Sequence, residues 1–580
     1  LPDLRTELTF EYVDTEVGLV SDFVSAPLPV TDSTFQNFDP FGGVSFIDAQ
    51  FNDTQIFRGI GDVSYDITDE IEVKWLGTYE RVERLRVLGD PVNFTFDTNG
   101  FNDDVIETFT TELSVNFKFD KLSGNFGGYY FNATEDFEFD IIAPIIDFAP
   151  PGVIITPADT LLLADTDTLT DTENFAFYGQ LRYELNDKWT FGLGLRYDNE
   201  TFNTTGLIAQ TTLDPADCQA TVPGFFVGVP LPVVDVPCGV LLPPDAPPMP
   251  QADTFTAFLP KASITYNWTD DISTFFAVQR GYRAGGTFLQ QTAIDGVPTA
   301  IVGTFDPEFL TNFELGLRSQ FFDRKLTVNG ALFFSILDDQ QASLPGPTGG
   351  VLDFFTDNVG QSQIYGLELS VDYQPNEEFL VYGSLGLLES EFTDFPFAIN
   401  ATAGEANPFF DLTGNTPPLA PNVTFTIGAS YNHSSGVFVD GSLNYSGASE
   451  SDIANIREEQ LLDPTIPGSF TFPMVDPVTG AVSTLVDPAD AAALAAGLDE
   501  VGDARTNVNL RIGYRHDNFT ITAFATNLFD DTGLIQRNFG AAQASGGPDG
   551  NGGSLTFFPN PNFTIQQPQT FGIQIDIKFP

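Results

Sequence analysis

The sequence TNFELGLRSQFFDRKLTVNGALFFSI, from Thr311 to Ile336, lies within the stretch of residues 305–392 that decides the fold of this chain. Apolar and polar residues alternate in its first half, with Phe313, Leu315 and Leu317 on one face and Glu314 and Arg318 on the other. A period of two predicts a β-strand that lies between two different environments. Asp323-Arg324 predicts a tight turn, so the two halves should form a β-hairpin.

A second hairpin of the same kind follows in residues 364–388, with Gln374-Pro375-Asn376 at its turn. The same alternation returns in the last segment of the chain, residues 571–579. We therefore expect one set of residues to face lipid and another set to face a polar lumen. The lipid-facing set is Leu315, Leu317, Leu367, Leu369, Ile573 and Ile575, and the lumen-facing set is Glu314, Arg318, Glu368, Gln574 and Asp576.

The connections between the predicted strands alternate between two lengths. Turns of a few residues, such as Thr68-Asp69 and Asn186-Asp187, join the strands at one end, and much longer segments join them at the other. A soluble sandwich would give the same alternation along each strand, so the loop asymmetry is the more informative signal. Short periplasmic turns and long extracellular loops are typical of a transmembrane β-barrel. Counting the arms predicts an all-β fold, an antiparallel barrel with about 18 strands.

The composition agrees with a barrel and restricts the partners. The 580 residues carry a net charge of −57, and they include 58 Phe but only 3 Trp. No uninterrupted apolar run has the length of a membrane-spanning helix. Nucleic acid is not an expected partner, because phosphate binding needs Lys and Arg. The acidity is expected to keep long exposed loops soluble, and the alternative is a field that attracts cationic cargo or divalent ions.

Several segments resemble the TonB-dependent outer-membrane receptors. The mid-barrel segment of that family is similar to Thr311–Leu317 with Phe322-Asp323 and Asp338-Asp339-Gln340, and to Ile364-Tyr365-Gly366-Leu367-Glu368. Four further segments resemble the family as well: Pro260–Ser263, Arg280–Arg283, Gly414–Pro421 and Asn527–Asp530. The final strand ends in Phe579, as outer-membrane barrels do, although Pro580 follows it here.

The resemblance implies an active transporter in the outer membrane of a Gram-negative bacterium. Members have a barrel of about 22 strands that holds an N-terminal plug, and TonB pulls on a box in that plug. Residues 1–580 are therefore expected to be the barrel domain of a monomer, without its plug and its first four strands. The TonB complex, outer-membrane lipid and a small nutrient would be its partners. Iron–siderophore complexes, vitamins and glycans are the expected classes of cargo.

Two other function classes remain open on the sequence alone. One is a passive, substrate-selective porin with a complete barrel of about 18 strands. The other is a secreted β-rich adhesin, which heating on an SDS gel would distinguish from a membrane barrel. An enzyme is not expected, because no nucleophile, base and orienting group can be assembled from the motifs.

Few residues can be singled out as candidate sites. Tyr282 and Arg283 are candidates for cargo contacts, within the segment that resembles the family. Cys218 and Cys238, the only cysteines, share one Pro-rich loop and are expected to form an extracellular disulfide. No metal site and no cofactor are expected. Calcium in an acidic loop is a weak alternative, with Asp159, Asp165, Asp167, Asp171 and Glu173 as its carboxylates. Asp487-Pro488 predicts the start of a short helix that ends near Gly497.

Overall fold

The structure is a computed structural model, and it is built from β-strands. It describes residues 3–18, 23–25, 51–89, 99–144, 160–209, 225–226, 229–230, 249–294, 297–345, 354–397, 410–411, 413–451, 474–475, 482–483, 501–538, 542–545, 554–557 and 562–578. The predicted loop helix and both cysteines lie outside these residues. Among the described residues, no helix is long and apolar enough to cross a bilayer.

One sheet of 18 strands forms the wall. Its first nine strands are β1 (Leu4–Gly18), β2 (Phe51–Thr68), β3 (Ile71–Gly89), β4 (Asn99–Lys118), β5 (Leu122–Pro144), β6 (Thr160–Glu184), β7 (Trp189–Ala209), β8 (Met249–Thr269) and β9 (Ile272–Arg283). The other nine are β10 (Glu308–Phe321), β11 (Leu326–Asp338), β12 (Gln361–Tyr373), β13 (Phe379–Asp394), β14 (Val423–Asn432), β15 (Val437–Ser446), β16 (Arg505–His516), β17 (Phe519–Thr526) and β18 (Thr570–Ile577).

Short strands lie within the long connections between the wall strands. They are Phe23–Ser25, Phe225–Phe226, Val229–Pro230, Gly286–Ile294, Val297–Phe305, Gln341–Pro345, Phe354–Asn358, Pro396–Phe397, Phe410–Asp411, Ser449–Glu450, Met474–Val475, Val482–Ser483, Val501–Gly502, Leu534–Asn538, Ala542–Ser545, Ser554–Phe557 and Asn562–Ile565. One sheet of three of them joins the loop after β1 to the loop before β18, since Asn562–Ile565 pairs with both Phe23–Ser25 and Leu534–Asn538.

Every wall strand pairs antiparallel with the strand that precedes it in the chain. The ladders run without a crossover from β1–β2 to β17–β18. This is the meander of a barrel wall, in which the backbone groups of each strand bond to those of its neighbours in the sheet. The predicted count of about 18 strands is confirmed.

The register sorts the residues of the wall onto two faces. Leu315 lies opposite Leu332, which lies opposite Leu367, so these three leucines form one row across β10, β11 and β12. Glu314 and Glu368 lie on the other face, because alternate residues of a strand point to opposite sides. Leu315 and Leu332 are each 53% exposed. The apolar face is therefore an open band that hydrocarbon can cover, and we call it the outward face. The other we call the inner face.

Short turns close the hairpins at one end of the wall, as predicted. Lys325 donates its backbone N–H to the carbonyl of Phe322 across the predicted Asp323-Arg324 turn. His433 bonds to Val437 at the turn that joins β14 to β15, and Gly436 in that turn has a φ of +95°. Both histidines, His433 and His516, lie at such turns. The odd-numbered strands consequently run away from the turns, and the end that they reach is the extracellular one in a barrel of this kind.

The height of the wall differs around the ring. Strands β2 to β8 contain 18 to 25 residues, whereas β14 to β18 contain 8 to 12. A tilted strand crosses the bilayer with about 9–11 residues. Strands β2 to β8 therefore extend far beyond the membrane, and the described wall strands are shorter at β14–β18. The sequence pattern predicted where these strands begin at the turns but not how far they continue.

The packed interior of the protein lies at the rim. Phe392 and Phe395 are fully buried, with their ring centroids 4.5 Å apart. Asn527, from the segment that resembles the receptor family, is 1% exposed. Its side-chain amide donates to the carbonyls of Asp531 and Gln567, at 2.8 and 3.0 Å. Several of the motifs found in the sequence therefore join strand ends to loops, which explains why they stand out from the alternating pattern.

Candidate functional site

A polar cluster lies on the inner face of β5, β6 and β7, above the middle of the wall. Arg196 binds Asp198 through two hydrogen bonds of 2.7 Å, and Asp198 is only 1% exposed. The guanidinium of Arg196 also lies 5.4 Å from the ring centre of Tyr129. Because one carboxylate occupies two donors of Arg196, this pair is a fixed polar surface rather than a free charge.

Tyr282, a predicted candidate for cargo contacts, joins this cluster. Its hydroxyl donates to Glu200 at 3.0 Å, and the amide of Asn174 donates to Glu200 at 3.2 Å and to Tyr282 at 3.4 Å. The side-chain oxygen of Asn174 is buried without a partner among the described residues. Strand β9 leaves its ladder with β8 beyond Gln279, which allows Tyr282 to reach the inner face of β7.

Arg283, the neighbouring candidate, belongs to a different network. Its Nε donates to the side-chain oxygen of Gln341 at 2.6 Å. Gln341 in turn donates to the carbonyls of Ala284 and Asp306, at 2.7 and 3.0 Å, and its backbone N–H donates to Glu308 at 2.8 Å. Arg283 thus fixes the base of the loop above β9. The structure places the two candidates in separate hydrogen-bond networks, and a cargo contact stays a prediction for both.

A hairpin covers part of the inner wall above this cluster. Its strands are Gly286–Ile294 and Val297–Phe305, and we call it the inner hairpin. Thr287 donates its hydroxyl to Thr204 of β7 at 2.6 Å. At its base, Gly285 lies so close to the carbonyl of Phe305 and the ring of Phe255 that a Cβ atom there would clash with both. The inner hairpin therefore covers the inner face of β7 near Thr204, beyond Arg196 and Asp198 along the strand.

A second polar cluster lies on the inner face of β3, β4 and β5, and no motif in the sequence predicts it. Arg84 forms an ion pair with Asp104, whose side chain is 1% exposed. The Nε atoms of Arg84 and Arg86 and one oxygen of Asp104 are buried without a hydrogen-bond partner among the described residues. Unmet buried donors of two arginines side by side are costly unless a ligand or water satisfies them. We call this group the Arg84 cluster.

Glu135 borders the Arg84 cluster on β5. It lies beyond the length of strand that crosses a bilayer, since β5 begins at Leu122. Burial raises the pKa of the Glu135 carboxyl, the neighbouring Asp104 raises it further, and Arg84 lowers it. The Arg84 cluster therefore combines two cations with two carboxylates, one of which gains a proton more readily than usual.

The acidic loop proposed for calcium is described only in part. Asp159 lies outside the described residues, while Asp171 and Glu173 lie on β6. Thr134 donates to Asp171 at 2.8 Å and Tyr130 donates to Glu173 at 3.3 Å. Calcium binding here stays a prediction, as does the disulfide between Cys218 and Cys238.

Comparisons with known proteins agree on the architecture. The family model described as "TonB dependent receptor-like, beta-barrel" matches residues 3–528. Among solved structures, the ferric yersiniabactin uptake receptor FyuA from Yersinia pestis is similar with a TM-score of 0.63 at 15% identity, over 100% of this chain and 68% of FyuA. The siderophore receptor PiuA from Acinetobacter baumannii gives 0.64 at 14% identity, over 100% and 72%. The ferric-catecholate import receptor Fiu from K12 E. coli gives 0.59 at 15% identity, over 100% and 72%.

Proposed function

The chain belongs to the TonB dependent receptor-like β-barrel family, and from that premise we propose that it takes up a ferric siderophore complex across the outer membrane. TonB-dependent uptake follows from the family, and it is favoured over the passive porin, the alternative function that the sequence left open. The identification of the cargo as an iron chelate goes beyond what the family shows. Vitamins and glycans, the other expected cargo classes, would need a different set of contacts.

The Arg84 cluster is the observation that carries the choice of cargo. Siderophores hold iron through oxygen anions, and arginine forms short, charge-assisted hydrogen bonds to such oxygens. Arg84 and Arg86 present buried donors that nothing in the described part of the chain accepts. They do so within a protein of 23 basic and 80 acidic residues, where arginine donors are scarce beside carboxylates. Similar structures described as receptors for ferric yersiniabactin and ferric catecholates support the same cargo class.

Uptake of radioactive iron by cells tests the proposal. The complete gene would be expressed in a host without ferric-siderophore receptors of its own, with and without TonB. We expect saturable uptake of at least one ferric siderophore, and we expect uptake to stop when TonB is absent. Arg84→Gln combined with Arg86→Gln should weaken binding by about tenfold or more, because hydrogen bonds to charged groups contribute about 1.5–3 kcal/mol each.

Arg81→Gln is the matched control. Arg81 lies on the same strand but on the outward face, where it pairs with Glu83 and Glu107, so its loss should leave the affinity for iron chelates unchanged. Uptake that persists without TonB and rises linearly with concentration would instead indicate the passive porin. Uptake of no iron complex, together with TonB-dependent uptake of a vitamin or glycan, would refute the cargo and keep the transport class.

A further inference from the structure

The outward face carries a row of tyrosines at one constant height. Each occupies the eighth position after the first residue of its upward strand, and they are Tyr12, Tyr79, Tyr130, Tyr197 and Tyr445. Tyr and Trp are enriched where a membrane protein crosses from hydrocarbon to head groups. Because the upward strands end outside the cell, this row marks the head-group level of the outer leaflet.

Arg280 occupies the same position in β9, where five of the other upward strands carry tyrosine. It shares its strand face with Phe276, which is 44% exposed on the outward side. Arg280 is itself exposed, and its guanidinium lies 4.0 Å from the ring centre of Phe309. An arginine at this level can extend its head group to the interface while its stem lies along apolar surface.

Arg280 differs from the other arginine on the outward face of the described strands. Arg81 is neutralised by Glu83 and Glu107. Arg280 has no carboxylate partner within the described part of the chain, and its cross-strand neighbour is Thr311. The chain has 80 acidic and 23 basic residues, yet no acidic residue pairs with Arg280 among the described residues. Because Arg280 faces lipid, we expect its counter-ion to be an anion from outside the protein.

An apolar groove lies beside Arg280 on the same face. It measures about 700 Å³ and crosses β6 to β9, with Gly179, Pro260 and Ala262 as its floor and Leu193, Leu195 and Val278 along its sides. Gly179 faces Leu195, which faces Pro260, so these three residues of the groove form one register row. A groove of this kind on a surface that meets lipid accepts an acyl chain, and Arg280 lies at its outer end.

We propose that Arg280 and this groove form a binding site for a phosphorylated lipid of the outer leaflet, with the phosphate on the guanidinium and one acyl chain in the groove. Arginine binds phosphate oxygens through two parallel hydrogen bonds. The Phe309 ring beneath it holds the guanidinium plane and leaves its donors facing the head group. The source of the anion is the membrane lipid, because the groove continues the site into the hydrocarbon.

Native mass spectrometry of the full chain in detergent micelles tests the site. Equal concentrations of dioleoyl phosphatidate and dioleoyl phosphatidylcholine would compete for the protein. We expect the wild type to prefer phosphatidate, and we expect Arg280→Gln to lower that preference by about fivefold, the value of one cation near a charged lipid surface. Arg280→Lys should keep part of the preference, because it keeps the charge.

Three controls keep the proposal falsifiable. Arg81→Gln should leave the preference unchanged, since its charge is already neutralised. Ala262→Phe, which fills the groove, should reduce the binding of both lipids. Inorganic phosphate at the same concentration should displace neither. Each variant must first show the mobility of the folded wild type on an unheated SDS gel. Equal preference in Arg280→Gln and wild type, or displacement of lipid by phosphate alone, would overturn the assignment.

Discussion

At the scale of single residues, position on a face decides what a side chain can do. Leu367 and Glu368 are neighbours in the chain, yet one belongs to the outward apolar row and the other faces the lumen. The same distinction separates Arg81 and Arg280 on the outward face from Arg84 and Arg86 on the inner face. In the two proposals made above, identical side chains therefore bind a membrane lipid in one case and cargo in the other.

Replacing Leu367 by arginine tests the assignment of the faces. Leu367 lies six residues from the turn end of β12 at Tyr373, close to the middle of the membrane span. Leu367→Arg is expected to lower the free energy of unfolding in lipid vesicles by about 2–4 kcal/mol, because a charge there must leave water. Glu368→Arg is the control, and its effect should be much smaller. Equal losses measured by urea titration would show that the faces are wrongly assigned.

At the scale of strands and loops, the sequence predicts the wall well and the rim poorly. Alternation such as Phe313-Glu314-Leu315 reports two environments, and the Asp323-Arg324 turn is local, so both can be read directly from neighbouring residues. The contact between Thr287 and Thr204 joins residues far apart in the chain, and no periodicity signals it. The same applies to Arg84 and Asp104, since their pairing depends on the register of β3 with β4.

A substitution at Gly285 tests whether the contact at the base of the inner hairpin holds the hairpin against the wall. A side chain there would meet Phe255 and the carbonyl of Phe305, so Gly285→Val should lift the hairpin off the inner face of β8. We expect faster cleavage by an externally added protease between Gly286 and Phe305, with the barrel itself intact. Gly281→Ala is the matched control, because a Cβ atom at Gly281 meets nothing within 4 Å. Unchanged cleavage in Gly285→Val would mean that this contact does not hold the hairpin.

At the scale of the whole molecule, the 18 strands behave as one hydrogen-bonded object. A sheet whose strands bond only to their neighbours in the chain has no weak internal boundary, and breaking one ladder exposes backbone groups that lipid cannot satisfy. The protein reconstituted in detergent should therefore keep its compact form in SDS until it is heated. A shift in gel mobility between unheated and boiled samples is the expected result. Identical mobility would favour the soluble adhesin that the sequence left open.

The described wall strands are long on one side of the molecule and short on the other. Within the described residues, a bulky solute passes less β-sheet over the short strands β14–β18 than over the long strands β5–β7. We therefore expect cargo to enter along an oblique path, with the inner face of the long strands β5–β7 limiting its movement on one side. Among the described wall strands, β5–β7 are some of the longest, so we expect their extracellular ends to be accessible to antibodies raised against whole bacteria.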